Sequence, residues 1–572
     1  MGIKSFIKQV FTIAIGCLIS LLSLSYIVLF VLSRLTATDI SEVASNSVLS
    51  FNMEGRVVER MPSGLFGSNK GVVNFKVVTK AIHEATKDHR ISAIYLDLSY
   101  LYAGWAVLEE IREALLAFKA QGKTIIAYAD GYTQKSYYLA SVADEIILNP
   151  SGWLVFKGLS ATIDFYTKLF EHISIKPIIF RIGACKDAVE PFCLTKMSEE
   201  SKNQTKAYLE SVYDHFLTKI GSTRNIAVAA LKAHANNLSA VLPNDALRAH
   251  LITKIGYATD AKRLLKEKLK SPAFVSYIHY TTSESASNSV NQVAVVMAEG
   301  EIVNGSSSTG YIGARGFIKT IKAIQEDSNI KAVVLRIHSP GGNVAASDII
   351  WKAIEELKSV KPVVASMSNV AASGGYYIAA SCNYIFAQPT TITGSIGIFG
   401  MLFDPAALMH KIGIYRDVVK TAPFADFLEP RLSCSEQESK FMYKVLQQSY
   451  DDFLRKVANG RGMDIASVEK LAGGRVYTGA MAQNNGLVDG LGGLESAIAK
   501  AAALAQLTDQ YSICYLPRPK TKLEQLINYT TGNIKMEVLH SLVEEYPILN
   551  HYQLLSKPCG IQAILPYTIH ID

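Results

Sequence analysis

The sequence lacks the patterns that mark several common classes of functional site. Its seven cysteines include no C-x-x-C pair, which disfavours a zinc site, and they do not specify any disulfide pairing. Its twelve histidines are scattered, and none stands in a recognisable catalytic-triad context. The net charge of +7 forms no basic stripe interleaved with aromatic residues. We therefore expect no metal ion, no cofactor and no nucleic acid partner.

One stretch near the N-terminus lacks charged residues altogether. Residues 10–32 are uncharged, and a helix of that length can cross ~30 Å of hydrocarbon. Lys4 and Lys8 precede the stretch and Arg34 follows it, so the positive-inside rule places residues 1–9 in the cytoplasm. A cleaved signal peptide is the competing interpretation, but the run is long for one and no clear A-x-A site follows. We expect a single-pass anchor in the inner (cytoplasmic) membrane, with the following domains on the periplasmic side.

The rest of the 572-residue chain is typical of two copies of one α/β unit. Strand-like and helix-like stretches alternate, which predicts a mostly parallel sheet. Three blocks recur at one offset (332 − 93 = 239): Ala93–Leu98 at Ala332–Ile337, Tyr137–Ser141 at Tyr376–Ala380, and Pro150 at Pro389. A shared offset of this kind predicts a duplicated domain. The predicted segments are a linker at 33–46, a first repeat at 47–280, a linker at 281–291, a second repeat at 292–517, and a tail at 518–572 whose role stays open.

The stretch Asn369–Tyr377 has the features of a nucleophile-bearing turn. An apolar strand precedes Ser373, and two glycines follow it at the predicted start of a helix. Such a serine has an accessible hydroxyl beside free backbone N–H groups, which can hold a developing oxyanion. A turn that merely connects two elements is the alternative. The offset places Gln134 opposite Ser373, so we expect the second repeat to carry the nucleophile.

A serine nucleophile needs a base, and the repeat comparison points to Lys186. A lysine can serve if burial lowers its pKa towards neutrality. Lys186 lies in an apolar, glycine-containing turn of the first repeat, and its counterpart in the second repeat is Ala425. Each repeat therefore keeps one member of a possible pair and has lost the other, which predicts a Ser373/Lys186 dyad across two domains. A solvated surface lysine is the plain alternative for Lys186, and Lys420 is the rival base.

Three further residues are candidates for supporting roles. Ser395, in a Thr-Gly-Ser-Ile-Gly turn, could orient a neutral lysine amine, although a hydroxyl bonded to its own backbone fits almost as well. Gly342, in a Ser-Pro-Gly-Gly turn, is the natural second oxyanion donor beside the N–H of Gly374. A glycine that the turn itself requires is the alternative for Gly342.

Together these motifs resemble the signal peptide peptidase A family, of the long tandem-domain type. The motifs are Ser-Pro-Gly-Gly, Ala-Ala-Ser-Gly-Gly-Tyr, Thr-Gly-Ser-Ile-Gly and Lys-Asp-Ala-Val-Glu-Pro-Phe. The resemblance implies a Clp-protease/crotonase-like α/β fold, a serine/lysine dyad, cleavage of leftover signal peptides, and a homotetrameric bowl that encloses the active sites. Carried over by position, Ser373 resembles the nucleophile, Lys186 the base, Ser395 the serine that supports the lysine, and Gly342 and Gly374 the oxyanion residues. The sequence departs from the family pattern at Asn343 and Cys185.

We therefore expect a membrane-anchored serine endopeptidase that acts on extended, apolar peptides. One rival is an acyl-CoA hydratase or isomerase, which would need neither Ser373 nor a lysine. Another is an assembly scaffold without activity, which would require one member of the dyad to be missing.

Overall fold

The computed structural model describes most of the two predicted repeats. It covers residues 43–61, 71–280, 289–308, 310–429, 434–508, 511–518 and 560–564, together with residues 12, 15, 16, 19, 20, 23 and 26. Most of the predicted anchor at 10–32, of the linker at 33–46 and of the linker at 281–291 lies outside the described residues. Within the part that is described, no helix is both long and apolar enough to span a membrane. The domain bounds given above stay a prediction.

The first half of the chain alternates strands and helices. The strands are β1 (Ser47–Asn52), β2 (Gly55–Val58), β3 (Val72–Asn74), β4 (Ile91–Asp97), β5 (Leu101–Tyr102), β6 (Thr124–Ala129), β7 (Glu145–Leu148), β8 (Lys176–Ile182), β9 (Lys254–Ile255) and β10 (Phe274–Ser276). The α-helices are α1 (Phe75–Lys87), α2 (Trp105–Ala120), α3 (Gln134–Ala140), α4 (Thr167–His172), α5 (Glu190–Cys193), α6 (Glu199–Arg224), α7 (Val228–Asn237), α8 (Pro243–Arg248), α9 (Ala258–Leu269) and α10 (Tyr277–Tyr280), with a 3-10 turn at Asp187–Val189.

The second half repeats this alternation. Its strands are β11 (Gln292–Glu299), β12 (Glu301–Val303), β13 (Tyr311–Gly313), β14 (Ile330–Ser339), β15 (Gly341–Asn343), β16 (Val363–Ala372), β17 (Tyr384–Ala387), β18 (Ile392–Gly394), β19 (Ile398–Asp404), β20 (Val476–Thr478), β21 (Gly490–Leu491), β22 (Ser512–Leu516) and β23 (Gly560–Ile564). Its helices are α11 (Ala314–Glu326), α12 (Val344–Lys358), α13 (Gly374–Ala379), α14 (Ala406–Lys411), α15 (Glu436–Arg461), α16 (Ile465–Leu471), α17 (Gly479–Asn484) and α18 (Leu494–Leu504).

Two mostly parallel sheets with a matching path of six strands form the centres of the two halves. The first sheet runs β10-β1-β4-β6-β7-β9, and the second contains the matching path β22-β11-β14-β16-β17-β21. Their registers match as well, since Val48 pairs with Ala93 and Val293 pairs with Ala332. In the second half β18 adds to β16 and β20 adds to β18. The equal strand orders are what a duplicated unit produces.

The helices follow the same repeat, because the same apolar positions recur. Helix α1 buries Val78, Ile82 and Ala85, which are spaced to form one helical face. The residues 239 positions later in α11 are Phe317, Ile321 and Ile324, and they are buried too. Helices α4 and α14 also begin and end 239 residues apart.

A third sheet joins the two halves at one edge. Its order is β13-β12-β15-β23-β19-β8, so β8 of the first half completes a sheet of the second half. Strands β8 and β19 pair antiparallel over seven residues, from Ile182 opposite Ile398 to Lys176 opposite Asp404. Strand β23, from the tail, lies between β15 and β19 and runs antiparallel to both. A smaller sheet, β3-β2-β5, belongs to the first half.

Hydrophobic and charged contacts also bind the halves together. The largest buried cluster contains first-half residues such as Phe118 and second-half residues such as Ile498. Within the junction, the buried guanidinium of Arg336 on β14 donates to Glu59 at 3.1 Å and to Glu110 at 2.7 Å. Burial alone would raise the pKa of Glu59, but the charge and hydrogen bonds of Arg336 outweigh it and hold the pKa below its usual value. Burial dominates at Glu110 and raises its pKa to about 7. The two halves therefore share one interior.

Candidate active site

Ser373 lies at the sharp turn between β16 and α13. Its φ is +53°, a left-handed value that few side-chain-bearing residues adopt. The turn is fixed by the N–H of Ser373, which donates to the carbonyl of Gly394 at 2.8 Å. Gly375 allows the close approach of β14, because a Cβ there would lie 2.7 Å from the carbonyl oxygen of Ser339. The expected strand–turn–helix is present, but the hydroxyl that we expected to be accessible belongs to a fully buried residue.

Lys186 reaches Ser373 because β8 belongs to the sheet of the second half. Strand β8 pairs with β19, and β19 begins three residues after Ser395. After β8 the chain turns through Gly183 and Cys185. The N–H of Cys185 donates to the carbonyl of Gly473 at 2.9 Å. The Nζ atom of Lys186 lies 2.9 Å from Oγ of Ser373 and 2.9 Å from Oγ of Ser395. It also lies 3.3 Å from the carbonyl oxygen of Ser395.

Burial controls the charge of this lysine. Lys186 is 1% exposed, and loss of hydration lowers the pKa of its amine from 10.5 to about 7. The neighbouring carboxylate of Asp187 opposes this shift only in part. Asp187 accepts hydrogen bonds from Oγ of Ser201 at 3.1 Å and from Nε2 of Gln204 at 3.2 Å. A substantial fraction of Lys186 is therefore neutral near pH 7 and able to accept a proton.

Ser395 occupies a second left-handed turn. Its φ is +52°, and its N–H donates to the carbonyl of Arg475 at 2.6 Å. Two non-glycine residues at positive φ, Ser373 and Ser395, thus converge on one lysine amine. Backbone strain of this kind is concentrated at functional sites because the surrounding packing must maintain it.

Gly342 and Gly374 lie on the elements that flank Ser373. Gly374 is the first residue of α13, so its N–H has no partner within the helix. Gly342 is the central residue of β15, opposite Ile302 of β12 on one side and Ala563 of β23 on the other. A Cβ at Gly342 would lie 2.0 Å from the carbonyl oxygen of Ile302, so the strand pairing requires a glycine. The structure therefore gives Gly342 a packing role that the sequence did not reveal.

The rival base Lys420 lies elsewhere. Its side chain is partly exposed and forms an ion pair with Asp426 at 2.6 Å. By contrast, Lys186 is enclosed among the serines of the second half.

A glycine turn that the sequence did not indicate positions the lysine. Gly474 has a φ of +88°, and a Cβ there would lie 2.5 Å from the backbone nitrogen of Lys186. Its N–H donates to the carbonyl of Ile396 at 2.8 Å, which links this turn to the Ser395 turn. The pair Gly473-Gly474 was the available signal, but nothing near it in the sequence indicates contact with Lys186.

Asn369 is a second missed contact between the halves. Its Oδ1 atom accepts a hydrogen bond from the N–H of Val107 at 3.2 Å, in the first turn of α2. A Cβ at Gly104 would lie 2.1 Å from that same oxygen, so the fit depends on the glycine. The strand that leads to Ser373 is thereby tied to a helix of the first half.

Two family models and three of the relatives point to the same class, the peptidases. The model of peptidase family S49 matches residues 117–271 and 355–508, and the Clp protease model matches residues 284–392. Protease 4 of Salmonella typhi is 31% identical over 523 residues, which cover 86% of this chain and 84% of that protein. Protease 4 of Haemophilus influenzae is 35% identical over 452 residues, or 75% of this chain and 72% of that one. The chloroplastic serine protease SPPA of Arabidopsis thaliana is 33% identical over 504 residues, which cover 85% of this chain and 73% of that protein.

Proposed function

The chain belongs to peptidase family S49 and is a serine peptidase with a Clp protease-like fold, and we propose that it hydrolyses peptides with a dyad of Ser373 and Lys186. The observation that carries the proposal is the 2.9 Å distance between Nζ of Lys186 and Oγ of Ser373. It is supported by the burial that lowers the pKa of the lysine to about 7. No other base is needed if the amine is neutral when substrate binds.

In the proposed reaction, neutral Lys186 removes the hydroxyl proton of Ser373 while Oγ attacks the peptide carbonyl. The carbonyl oxygen becomes an oxyanion that accepts hydrogen bonds from the N–H groups of Gly342 and Gly374. The protonated lysine then donates its proton to the leaving amine, and the acyl-enzyme remains. Water, deprotonated by the same lysine, hydrolyses this ester and regenerates Ser373. The hydroxyl of Ser395 orients the amine throughout.

The substrates that we propose are extended, apolar peptides, in particular cleaved signal peptides. Two features support this class. The gap between β15 and β19 holds an extended strand, β23, that runs antiparallel to both, so a peptide of the same conformation fits there. The anchor that the sequence predicts at 10–32 would keep the site beside a membrane, where such peptides are produced.

The remaining parts of the proposal concern location and assembly. We propose that residues 10–32 anchor the chain in the inner membrane, with both repeats on the periplasmic side. The assembly is a homotetramer, as the family resemblance implies.

The test is hydrolysis of a fluorogenic apolar peptide by the full-length protein in detergent. Ser373→Ala and Lys186→Met are each expected to lower kcat/KM by at least ~10³-fold, because each removes one partner of a single proton transfer. Lys420→Met is the matched control and is expected to keep the parent activity.

Two results would overturn the proposed dyad. One is an active Lys186→Met variant beside an inactive Lys420→Met variant. The other is a folded parent protein that cleaves no peptide. Circular dichroism of every variant separates loss of chemistry from loss of fold.

A further inference from the structure

The side chain of Gln204, on α6, joins the loop of the proposed base to the second half of the chain. Its Nε2 atom donates to Oδ2 of Asp187, the residue after Lys186, at 3.2 Å. Its Oε1 atom accepts a hydrogen bond from the N–H of Val476 at 3.0 Å. The amide is therefore a bridge, with a carboxylate of the first half at one end and a backbone donor of the second half at the other.

Val476 lies in the strand that holds the Ser395 turn. It pairs with Gly394 in the antiparallel contact between β20 and β18. The residue before it, Arg475, accepts a hydrogen bond from the N–H of Ser395 at 2.6 Å. A shift of Val476 relative to Asp187 would therefore move Ser395 relative to the lysine.

The chemistry of the two ends suits an amide. An ionised carboxylate only accepts hydrogen bonds, so Asp187 needs the NH₂ group, whereas the N–H of Val476 needs the amide oxygen. The hydroxyl of Ser201, on the same helix, donates to the same oxygen of Asp187 at 3.1 Å. A glutamate in place of Gln204 would bring two carboxylates together, and a leucine could form neither hydrogen bond.

The repeat indicates that this bridge accompanies the lysine. Helices α6 and α15 each contain 26 residues and begin after a capping serine, at an offset of 436 − 199 = 237. Under this offset Gln204 corresponds to Phe441, which is 53% exposed and packs against Phe427. The half that has Ala425 in place of the lysine therefore has an aromatic side chain in place of the bridging amide.

We propose that Gln204 is a positioning residue for the Ser373/Lys186 dyad, an inference that rests on the proposed function of those two residues. By holding Asp187 against Val476, the amide keeps the lysine amine between the hydroxyl groups of the two serines. A base removes a proton efficiently only within hydrogen-bond reach, so a small displacement of the amine lowers the rate. The effect is indirect, because Gln204 acts through Asp187 and Val476.

The test is the steady-state kinetics of the full-length Gln204→Leu variant in detergent, with the fluorogenic apolar peptide as substrate. We expect kcat to fall at least tenfold and KM to change less than twofold, because the displaced group acts in the chemical step. Gln447→Leu is the matched control. Gln447 lies on α15 and donates to Asp451 at 2.8 Å on the surface, so its loss is expected to leave kcat unchanged.

Two further variants separate positioning from packing. Gln204→Glu adds a carboxylate beside Asp187, whose charge already favours the protonated lysine, so the midpoint of the pH profile of kcat/KM is expected to rise by roughly half a pH unit. The combined variant Gln204→Glu/Asp187→Asn exchanges the amide and the carboxylate, and again pairs a donor with an acceptor at each contact. We expect its kcat to be at least threefold higher than that of Gln204→Glu alone.

Lys186→Met, measured in parallel, separates failure of this inference from failure of the proposed dyad. If Lys186→Met is inactive while Gln204→Leu behaves like Gln447→Leu, the dyad stands and the positioning role is overturned. If Lys186→Met keeps the parent activity, both are overturned. An unmoved pH midpoint in Gln204→Glu, or no recovery in a combined variant that circular dichroism shows to be folded, would also overturn the positioning role.

Discussion

The Nζ atom of Lys186 lies 2.9 Å from the Oγ atom of Ser373, although 187 residues separate them in the chain. The contact crosses between the halves, because β8 of the first half is hydrogen-bonded to β19 of the second. Its geometry depends on three turns that contain Ser373, Ser395 and Gly474 at positive φ. These relationships lead to five measurable expectations.

The pH dependence of activity is expected to follow Lys186. Because burial lowers the pKa of its amine to about 7, kcat/KM is expected to rise roughly tenfold between pH 6 and pH 8. The shift also affects stability, since the unfolded lysine keeps its proton up to its ordinary pKa of 10.5. The unfolded state then binds more protons above pH 7, so this group makes the free energy of unfolding rise from pH 7 to 10.5. Chemical denaturation of Lys186→Met across that pH range should show no such rise in the free energy of unfolding. A variant with the same pH dependence of stability as the parent would contradict the assignment.

Removal of the Ser395 hydroxyl is expected to disturb the lysine rather than substrate binding. Ser395→Ala deletes one of the oxygen atoms 2.9 Å from Nζ of Lys186, so kcat should fall roughly tenfold with little change in KM. The midpoint of the pH profile should fall too, because this oxygen stabilises the charged amine more than the neutral one. Ser381→Ala, which removes a buried hydroxyl bonded to the carbonyl of Ile378, is the control. An equal effect in both variants would indicate a general packing role.

Gly474→Ala is expected to damage the site by displacing the lysine backbone. The new Cβ would lie 2.5 Å from the nitrogen of Lys186, and the φ of +88° adds backbone strain. We expect a loss of more than about 1 kcal/mol in the free energy of unfolding and at least tenfold in kcat. Gly462→Ala has the same left-handed backbone but open space around it, so it should lose stability alone. Equal activity in the two variants would argue against the positioning role of Gly474.

The buried ion network between the halves is expected to respond strongly to loss of its cation. Arg336→Ala leaves Glu59 and Glu110 buried without their partner, which is expected to cost about 3 to 5 kcal/mol in the free energy of unfolding. Lys358→Ala removes a partly exposed pair with Glu355 and should cost less than about 1 kcal/mol. Chemical denaturation of both variants measures the two losses in the free energy of unfolding. A cost for Arg336→Ala as small as that of the control would show that the network contributes little.

Removal of residues 519–572 is expected to make the enzyme faster on short peptides. Strand β23 pairs with both β15 and β19, including Gly342, so it occupies the position that we assign to an extended substrate. We expect KM to fall several-fold, and a synthetic peptide of residues 560–566 to inhibit the shortened protein competitively. A peptide of the same composition in scrambled order is the control. An unchanged KM in a folded shortened protein would contradict this expectation.

Local patterns in the sequence predicted the elements that depend on neighbouring residues. The alternation of strands and helices that the sequence predicts is present in both halves, and the turn predicted at Ser373 lies between β16 and α13. The Clp protease-like fold and the serine peptidase class are confirmed, whereas the transmembrane helix is not. The structure also brings Lys186 close to Ser373, the pair that the repeat comparison indicated, and it places the hydroxyl of Ser395 beside the same amine.

Contacts that join distant, unmatched segments could not be predicted. Gly474 touches Lys186 although almost three hundred residues separate them, and no repeat partner signals the contact. Arg336 has Asp97 at the matching position of the first half, so its ion network with Glu59 and Glu110 is not duplicated. Strand β23 pairs with β15 and β19 through backbone hydrogen bonds, and pairing of this kind leaves no mark on the side-chain pattern.

The division of the proposed dyad between β8 and the Ser373 turn also sets when activity can first arise during synthesis. The ribosome completes the lysine long before the serine, and the two meet only after β19 has been made and has paired with β8. A nascent chain that ends before the Ser373 turn therefore cannot cleave neighbouring polypeptides, because it holds only one member of the proposed dyad. The proposed dyad and the β8–β19 junction therefore form in the same step, and a chain that is still being made needs no separate inhibitory segment before that step.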